Sequence, residues 1–156
     1  TPVEMMKFLP DANDTFAKYG CIKYKGEFGR AEITTFREEN DYDDYRHPSK
    51  INFVKSLEID YKRRDFTINA IYKDYEGNIY DPSNGVEDLK NKLIRFVGEP
   101  SKRIKEDPLR IIRAKRFQKK LGFSFDKETE KAIDEYSYLL DKLNPQKVLE
   151  EEKKNK

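Results

Sequence analysis

The spacing of apolar residues changes several times along this chain, and each change predicts a different element. At the start, T-P-x-E sets Thr1 as an N-cap, Pro2 as a first helical residue and Glu4 as the reciprocal carboxylate of a capping box, which predicts a short helix through Leu9. CIKYKGEFGRAEITTFR then reads as two strands around a glycine-containing turn, with Ile33, Thr34, Thr35 and Phe36 supplying β-branched and aromatic residues. That pair is a hairpin. EENDYDDYRHPS has no periodicity and heavy charge, which predicts a mobile or disordered surface loop.

Gly77, the pair Asp81-Pro82 and Gly85 punctuate the next stretch into a short strand over 78–80 and a small helix near 86–91. Residues 66–72 alternate like a strand but fit a helix capped by Asp65 equally well, so periodicity leaves both open. From Glu99 onward the pattern is helical. One helix starts at Pro108, with Asp107 as N-cap and Glu106 and Asp107 at the positive end of its dipole, and stops at Gly122. A second amphipathic helix runs from about Lys127 to Leu140, and LEEEKKNK continues as a solvated helix. Both ends read as cut, so the expectation is a fragment.

The helix after Pro108 holds a puzzle. Leu109, Ile111, Ile112, Ala114, Phe117 and Leu121 point to nearly every side of it, so it is wedged between other elements. Arg110 and Arg113 share a face with Ala114 and Phe117, where an unpaired guanidinium is costly to bury. Either an anion or a carbonyl-rich partner meets them, or Asp107 and Arg110 form an internal i,i+3 salt bridge.

Composition narrows the field. At 156 residues the chain can bury a core in one domain, or in one and part of another. Charged residues make up 40% of it, yet the formal net charge is +2, so any basic surface for nucleic acid is local. Cys21 is the single cysteine, which excludes an internal disulfide and fits a reducing compartment, and His47 alone cannot build a His/Cys metal site. No run is long enough to span a membrane and no signal pattern opens the chain. The expectation is a soluble, cytoplasmic chain.

RRDFTINA, residues 63–70, sets two cations, a carboxylate and an amide beside Phe66 and Ile68, a pattern suited to phosphate oxygens. It is followed by GNIYDPSNGVEDL, then IRFVGEP, then EDPLRIIRAKRF. In that order and spacing these segments resemble the class II tRNA nucleotidyltransferases, the family of CCA-adding enzymes and bacterial poly(A) polymerases. AEITTFR and YDDYRHPSKINFV fall where that family has its third sheet strand and its flexible loop, and the resemblance runs from about Gly20 to Leu143.

The resemblance implies an α+β fold: a polymerase-β-like nucleotidyltransferase head over 1–98, with a small mixed sheet whose first strands are missing, then the start of an all-helical neck over 99–156. It implies template-independent addition of CMP and AMP, from CTP and ATP, to the 3′ end of tRNA, with two Mg²⁺ ions clamping the attacking and leaving oxygens. Glu32 matches a catalytic, metal-binding carboxylate. The family's D-x-D pair lies before the T-P-x-E helix and is not in this sequence; Asp41 and Asp43 have the spacing but fall in the loop. The chain alone is therefore expected to be inactive.

By the same resemblance Asp65 hydrogen-bonds the ribose 2′-hydroxyl and Arg64 helps hold the phosphates or the nucleotide, a mutual salt bridge being the alternative. Tyr42, Asp44, Arg46 and Pro48 match the flexible loop, and Asn69 ties the motif's backbone together. Asp107 and Arg110 would read the base. Cytosine and adenine each present an exocyclic amine beside a ring-nitrogen acceptor, which a carboxylate and a guanidinium complement; uracil and guanine present the reverse and would leave polar groups unsatisfied. Arg113 supports that pair or touches phosphate, and Arg116 is structural. A poly(A) polymerase, a CC- or A-adding relative, and a non-catalytic nucleotide- or RNA-binding module are the alternatives.

Overall fold

The computed structural model describes residues 1–27, 29–42 and 48–154, and the chain divides into two compact units, residues 1–41 with 49–60 and residues 42–48 with 61–156. The architecture is α+β, as expected. The strands among the described residues form four two-stranded pairs.

In the first unit, helix α1 (Pro2–Phe8) starts on the expected capping box, Thr1 Oγ1 accepting the Glu4 N–H while the Glu4 carboxylate takes the chain's amino group at 2.6 Å. Strands β1 (Cys21–Gly26) and β2 (Gly29–Thr34) form the expected antiparallel hairpin, with Cys21 opposite Thr34 and Gly26 opposite Gly29. Ile22 is fully buried while Lys23 beside it is exposed, the alternation of a sheet with one covered face.

The described ends of the charged segment expected as a loop are strands instead. β3 (Arg37–Tyr42) pairs with β4 (Pro48–Phe53), so Asp41 lies on a strand; Asp43, Asp44, Arg46 and His47 lie outside the described residues. A ladder of backbone hydrogen bonds needs no apolar alternation where polar side chains satisfy one another. Here Arg37 Nε donates to Glu39 at 2.7 Å and Asn52 Nδ2 to Glu38 at 3.4 Å. Helix α2 (Leu57–Asp60) ends in a fully buried aspartate whose Oδ1 accepts the Arg37 N–H at 3.0 Å.

In the second unit, 66–72 follows neither reading throughout, and the Asp65 side chain caps no helix there. Phe66 is extended, Thr67–Asn69 is a single 3₁₀ turn, and β5 (Tyr72–Lys73) then pairs antiparallel with β6 (Ile79–Tyr80). Helix α3 (Gly85–Lys90) is capped by the Asp81 carboxylate, which accepts from Gly85 N at 2.7 Å and Val86 N at 2.8 Å. It approaches the 3₁₀ turn so closely that a Cβ on Gly85 would lie 2.1 Å from the Thr67 carbonyl oxygen.

Strand β7 (Leu93–Ile94) pairs in parallel with β8 (Ser124–Phe125). The expected single helix around Pro108 is preceded by another: α4 (Pro100–Glu106) stops at Asp107, which is extended, and α5 (Leu109–Leu121) begins after Pro108. Asp107 still caps, its Oδ1 accepting the Leu109 N–H at 3.1 Å. Gly122 ends α5 in the left-handed region (φ 67°), as expected of a C-terminal glycine. α6 (Lys127–Tyr136), capped by Asp126, gives way to a 3₁₀ segment over Ser137–Lys142, and α7 (Pro145–Lys153) follows.

The final charge run is not wholly solvated, because Glu151 is buried and receives Arg116 at 2.7 Å and Lys154 at 2.8 Å. Arg116 is thus structural. The core of this unit gathers Phe66, Ile94, Phe96, Ile104, Ile111, Ala114, Ala132, Ile133 and Leu139. Among the described residues no helix is long and apolar enough to cross a membrane.

Candidate functional site

Phe66 is the anchor. Its ring is fully buried, 5.1 Å from that of Phe96 and edge-on to Phe117 at 5.6 Å, a burial that contributes about 1.5–3 kcal/mol. On either side the backbone is tied to the segment following β7, Val97 N–H donating to the Asp65 carbonyl and Thr67 N–H to the Arg95 carbonyl, each at 3.0 Å. Thr67 Oγ1 donates to the buried Asp88 carboxylate at 2.6 Å. The Asp65 side chain therefore projects from a backbone held on both sides.

Six charged side chains then form one chain of alternating sign. Arg103 meets Glu106; the Glu106 carboxylate accepts Arg110 Nη1 at 2.8 Å; Arg110 Nε donates to Asp65 Oδ1 at 2.8 Å; Arg113 Nε donates to Asp65 Oδ2 at 2.8 Å; and Arg113 Nη2 donates to Asp107 Oδ2 at 2.7 Å. Three guanidiniums face three carboxylates. The ion pairs of Arg110 run to Asp65 and Glu106, while the Asp107 carboxylate is met by Arg113, so the i,i+3 salt bridge is replaced by contacts 45 and 4 residues away in sequence.

Burial pushes the Asp65 carboxyl upward, but the charges of Arg113 and Arg110 outweigh it and leave the group below the ordinary carboxylate range. Burial would likewise loosen the Arg113 proton, yet Asp65 and Asp107 hold it more tightly than usual. Asp65 is thus an ionised, acceptor-only group. It receives three N–H donors, Arg110 Nε, Arg113 Nε and Arg113 Nη2, the last at 3.4 Å. A carboxylate has about four lone-pair sites, which leaves room for one hydroxyl. A quarter of the Asp65 side chain (25%) is accessible, against 8% for Asp107 and 4% for Arg110.

The structure brings Asp65, Asp107, Arg110 and Arg113 into one cluster. Arg64, next to it in sequence, has its guanidinium over the Tyr72 ring at 5.5 Å. The salt-bridge alternative for Asp65 is realised with other arginines. Glu32 belongs to the first unit, facing Lys23 across the hairpin in a 2.8 Å ion pair with 65% of its side chain exposed. Asn13, Phe16, Lys23, Arg30 and Glu32 line an open cavity of about 460 Å³ there. Of the loop residues, Tyr42 ends β3, and Asp44 and Arg46 lie outside the described residues.

A two-metal centre does not fit the residues described. Among them no group of three or more His, Cys, Asp or Glu side chains converges, and Glu32 is occupied by a lysine. Sequence reasoning missed Arg103 altogether and took Glu106 only as a dipole partner. The available signal was spacing, since Arg103, Glu106 and Arg110 stand at i, i+3 and i+7.

Comparison with known proteins matches residues 1–95 to the poly A polymerase head domain. The CCA-adding enzyme of Lactobacillus helveticus (strain DPC 4571) is 47% identical over 152 residues, covering 96% of this chain and 38% of the relative. That of Geobacillus thermodenitrificans (strain NG80-2) is 48% identical over 132 residues, 85% of this chain and 33% of the relative. Among solved structures, the Bacillus stearothermophilus CCA-adding enzyme in complex with CTP superposes with a TM-score of 0.87 at 38% identity, over 99% of this chain and 37% of that one. A tRNA nucleotidyltransferase complexed with a primer tRNA and an incoming ATP analog gives 0.71 at 30% identity, over 97% of this chain and 42% of that one. The chain thus spans well under half the length of these relatives.

Proposed function

Since this chain belongs to the poly A polymerase head domain family, we propose that it is the nucleotide-selecting part of a CCA-adding nucleotidyltransferase, with residues 1–98 as head and 99–156 as the start of the neck. The whole enzyme would act in the cytoplasm, adding CMP and AMP from CTP and ATP to the 3′ end of tRNA. The relatives at 47% and 48% identity are CCA-adding enzymes, which favours this over poly(A) synthesis.

The observation that carries the reading is the alternating chain of charges, which joins the 63–66 turn to α4 and α5. Asp65, ionised and partly accessible, accepts the ribose 2′-hydroxyl at its remaining lone-pair site. Asp107, fixed by Leu109 N–H and Arg113, accepts the exocyclic amine of cytosine or adenine. Arg110, fixed by Asp65 and Glu106, donates to the adjacent ring nitrogen. Each reading group is held before any nucleotide arrives, so little ordering is lost on binding. Arg64 serves the phosphates.

Mg²⁺ in the whole enzyme would supply Lewis-acid chemistry at the phosphoryl group. Glu32 would supply one ligand; the described residues assemble no full set around it. Calorimetric titration of this chain with CTP, ATP, UTP and GTP tests the reading. CTP and ATP should bind at least about tenfold more tightly than UTP and GTP, as expected when unsatisfied polar groups penalise the wrong base. Equal affinities for CTP and UTP would overturn it.

A further inference from the structure

We propose that Arg103 is a positioning residue for nucleotide selection, clamping the turn that carries Arg64 and Asp65 to the helix that carries Arg110. This rests on the selecting role proposed above. Arg103 lies on α4 with 7% of its surface accessible. Its Nη2 donates to the carbonyl oxygens of Arg63 at 2.8 Å and Arg64 at 3.0 Å. Its Nη1 meets Glu106, whose Oε2 also accepts Arg110 Nη1 at 2.8 Å, and Arg110 Nη1 donates in turn to the Arg103 carbonyl at 2.7 Å. One guanidinium therefore grips two peptide carbonyls of the turn and, through a single carboxylate, the arginine assigned to the base.

Only a planar fork suits this. A guanidinium carries five N–H donors in fixed directions, enough for two carbonyls and a carboxylate at once, whereas a lysine ammonium is a point charge on a flexible stem. The bonds run to main-chain atoms of the turn, so they set the turn's place rather than any one side chain's rotamer. Arg113 holds Asp65 from the other end of the charge chain, at Asp65 Oδ2 and Asp107 Oδ2. Loss of Arg103 therefore leaves the Arg63 and Arg64 carbonyls without this donor and Glu106 with Arg110 as its remaining guanidinium, while the Asp65–Arg113–Asp107 end stays paired. The base-reading guanidinium then keeps its direct bond to Asp65 but loses the brace that Arg103 gives to Glu106 and to the backbone at Arg63 and Arg64.

The test compares this chain with its Arg103→Lys and Arg103→Gln variants, and with Arg116→Gln, which breaks the ion pair to Glu151 elsewhere on α5. CTP and UTP affinities are measured by calorimetry, melting temperature by circular dichroism, and the Nε–H signals of Arg110 and Arg113 by NMR. In both Arg103 variants the preference for CTP over UTP should fall about tenfold, the loss expected of a hydrogen bond to a charged group, with lysine giving no rescue. The Arg110 Nε–H should broaden while that of Arg113 persists, and Arg116→Gln should lower the melting temperature without changing the preference. Full CTP preference in a folded Arg103→Lys chain overturns the proposal, as does a loss in the Arg103 variants that merely tracks melting temperature as Arg116→Gln does. If the unaltered chain shows no preference for CTP, it is the selecting role that fails. The Arg110 signal in Arg103→Lys then still decides the clamp, its loss upholding it and its persistence overturning it.

Discussion

Arg110 Nε donates to Asp65 Oδ1 at 2.8 Å, joining a turn and a helix that lie 45 residues apart in the chain. The carboxylate assigned to the sugar and the guanidinium assigned to the base are thus each other's ligands. The Arg110 side chain is 4% accessible and that of Asp65 25%, so removing Arg110 leaves Asp65 to Arg113 alone and Glu106 to Arg103 alone.

Arg110→Ala should therefore destabilise the chain by about 1.5–3 kcal/mol, the worth of a hydrogen bond to a charged group. An exposed i,i+3 helix pair, the alternative suggested by sequence spacing, would lose only about 0.2–0.5 kcal/mol. Urea unfolding of the two proteins distinguishes the cases, and a loss below about 1 kcal/mol would contradict the buried network.

Asp65→Asn keeps the side chain's size but gives up the acceptor-only charge. CTP should lose more affinity than dCTP, narrowing ribonucleotide preference by about tenfold, the worth of one charge-assisted hydrogen bond. If both ligands weaken by the same factor in titrations of the variant, Asp65 only anchors the arginines.

The depressed Asp65 carboxyl also predicts a pH dependence. The folded chain binds this proton less readily than the unfolded one, so the stability it contributes is complete above the unfolded value of about 3.9 and fades as pH drops from there through the folded value. Asp74 and Glu151 are lowered too, so the slope has several sources. Melting curves from pH 6 to 3 should show a shallower acid loss in Asp65→Asn than in the unaltered chain; identical slopes would refute the assignment.

Gly85→Ala tests the packing beneath the site. The added methyl would sit 2.1 Å from the Thr67 carbonyl oxygen, a backbone atom that no rotamer change can move aside. Overpacking of this kind costs about 1–3 kcal/mol, and the shift should reach the Thr67–Asp88 hydrogen bond. Denaturant midpoints, with amide exchange at Thr67, measure both; an unchanged midpoint would mean α3 yields freely.

With CTP, ATP, Mg²⁺ and tRNA lacking its 3′ end, the chain alone should transfer no nucleotide. Two metal ions about 3.5–4 Å apart need several carboxylates, and Glu32 is the one assigned. Incorporation of labelled nucleotide into the tRNA would overturn both that assignment and the expected inactivity.

The elements legible in the sequence were those built from neighbours. The Thr1–Glu4 box, the Gly122 stop and the β1–β2 hairpin depend on chemistry within a few residues, and each formed where expected. β3 and β4 were missed because their stabilising contacts, Arg37 with Glu39 and Asn52 with Glu38, leave no apolar period to detect. The helical pattern from Glu99 covered α4, but α4 was not set apart as its own helix, because Asp107 and Pro108 look like one helix start although an extended Asp107 also ends the helix before it.

The sequence by itself determined the charges of the site: three arginines and three carboxylates, four of them already singled out as readers of a nucleotide. Only the tertiary structure decided who pairs with whom. Spacing within a helix offers Asp107 to Arg110, but burial of Phe66 brings the 63–66 turn against α4 and α5, and Asp65 then takes both Arg110 and Arg113. A buried guanidinium pairs with whichever carboxylates and carbonyls the packed core sets beside it, because an unpaired charge there costs more than any local preference can return. That is also why Arg103, silent in the sequence, ends the charge chain with its donors fixed on two carbonyls about forty residues away.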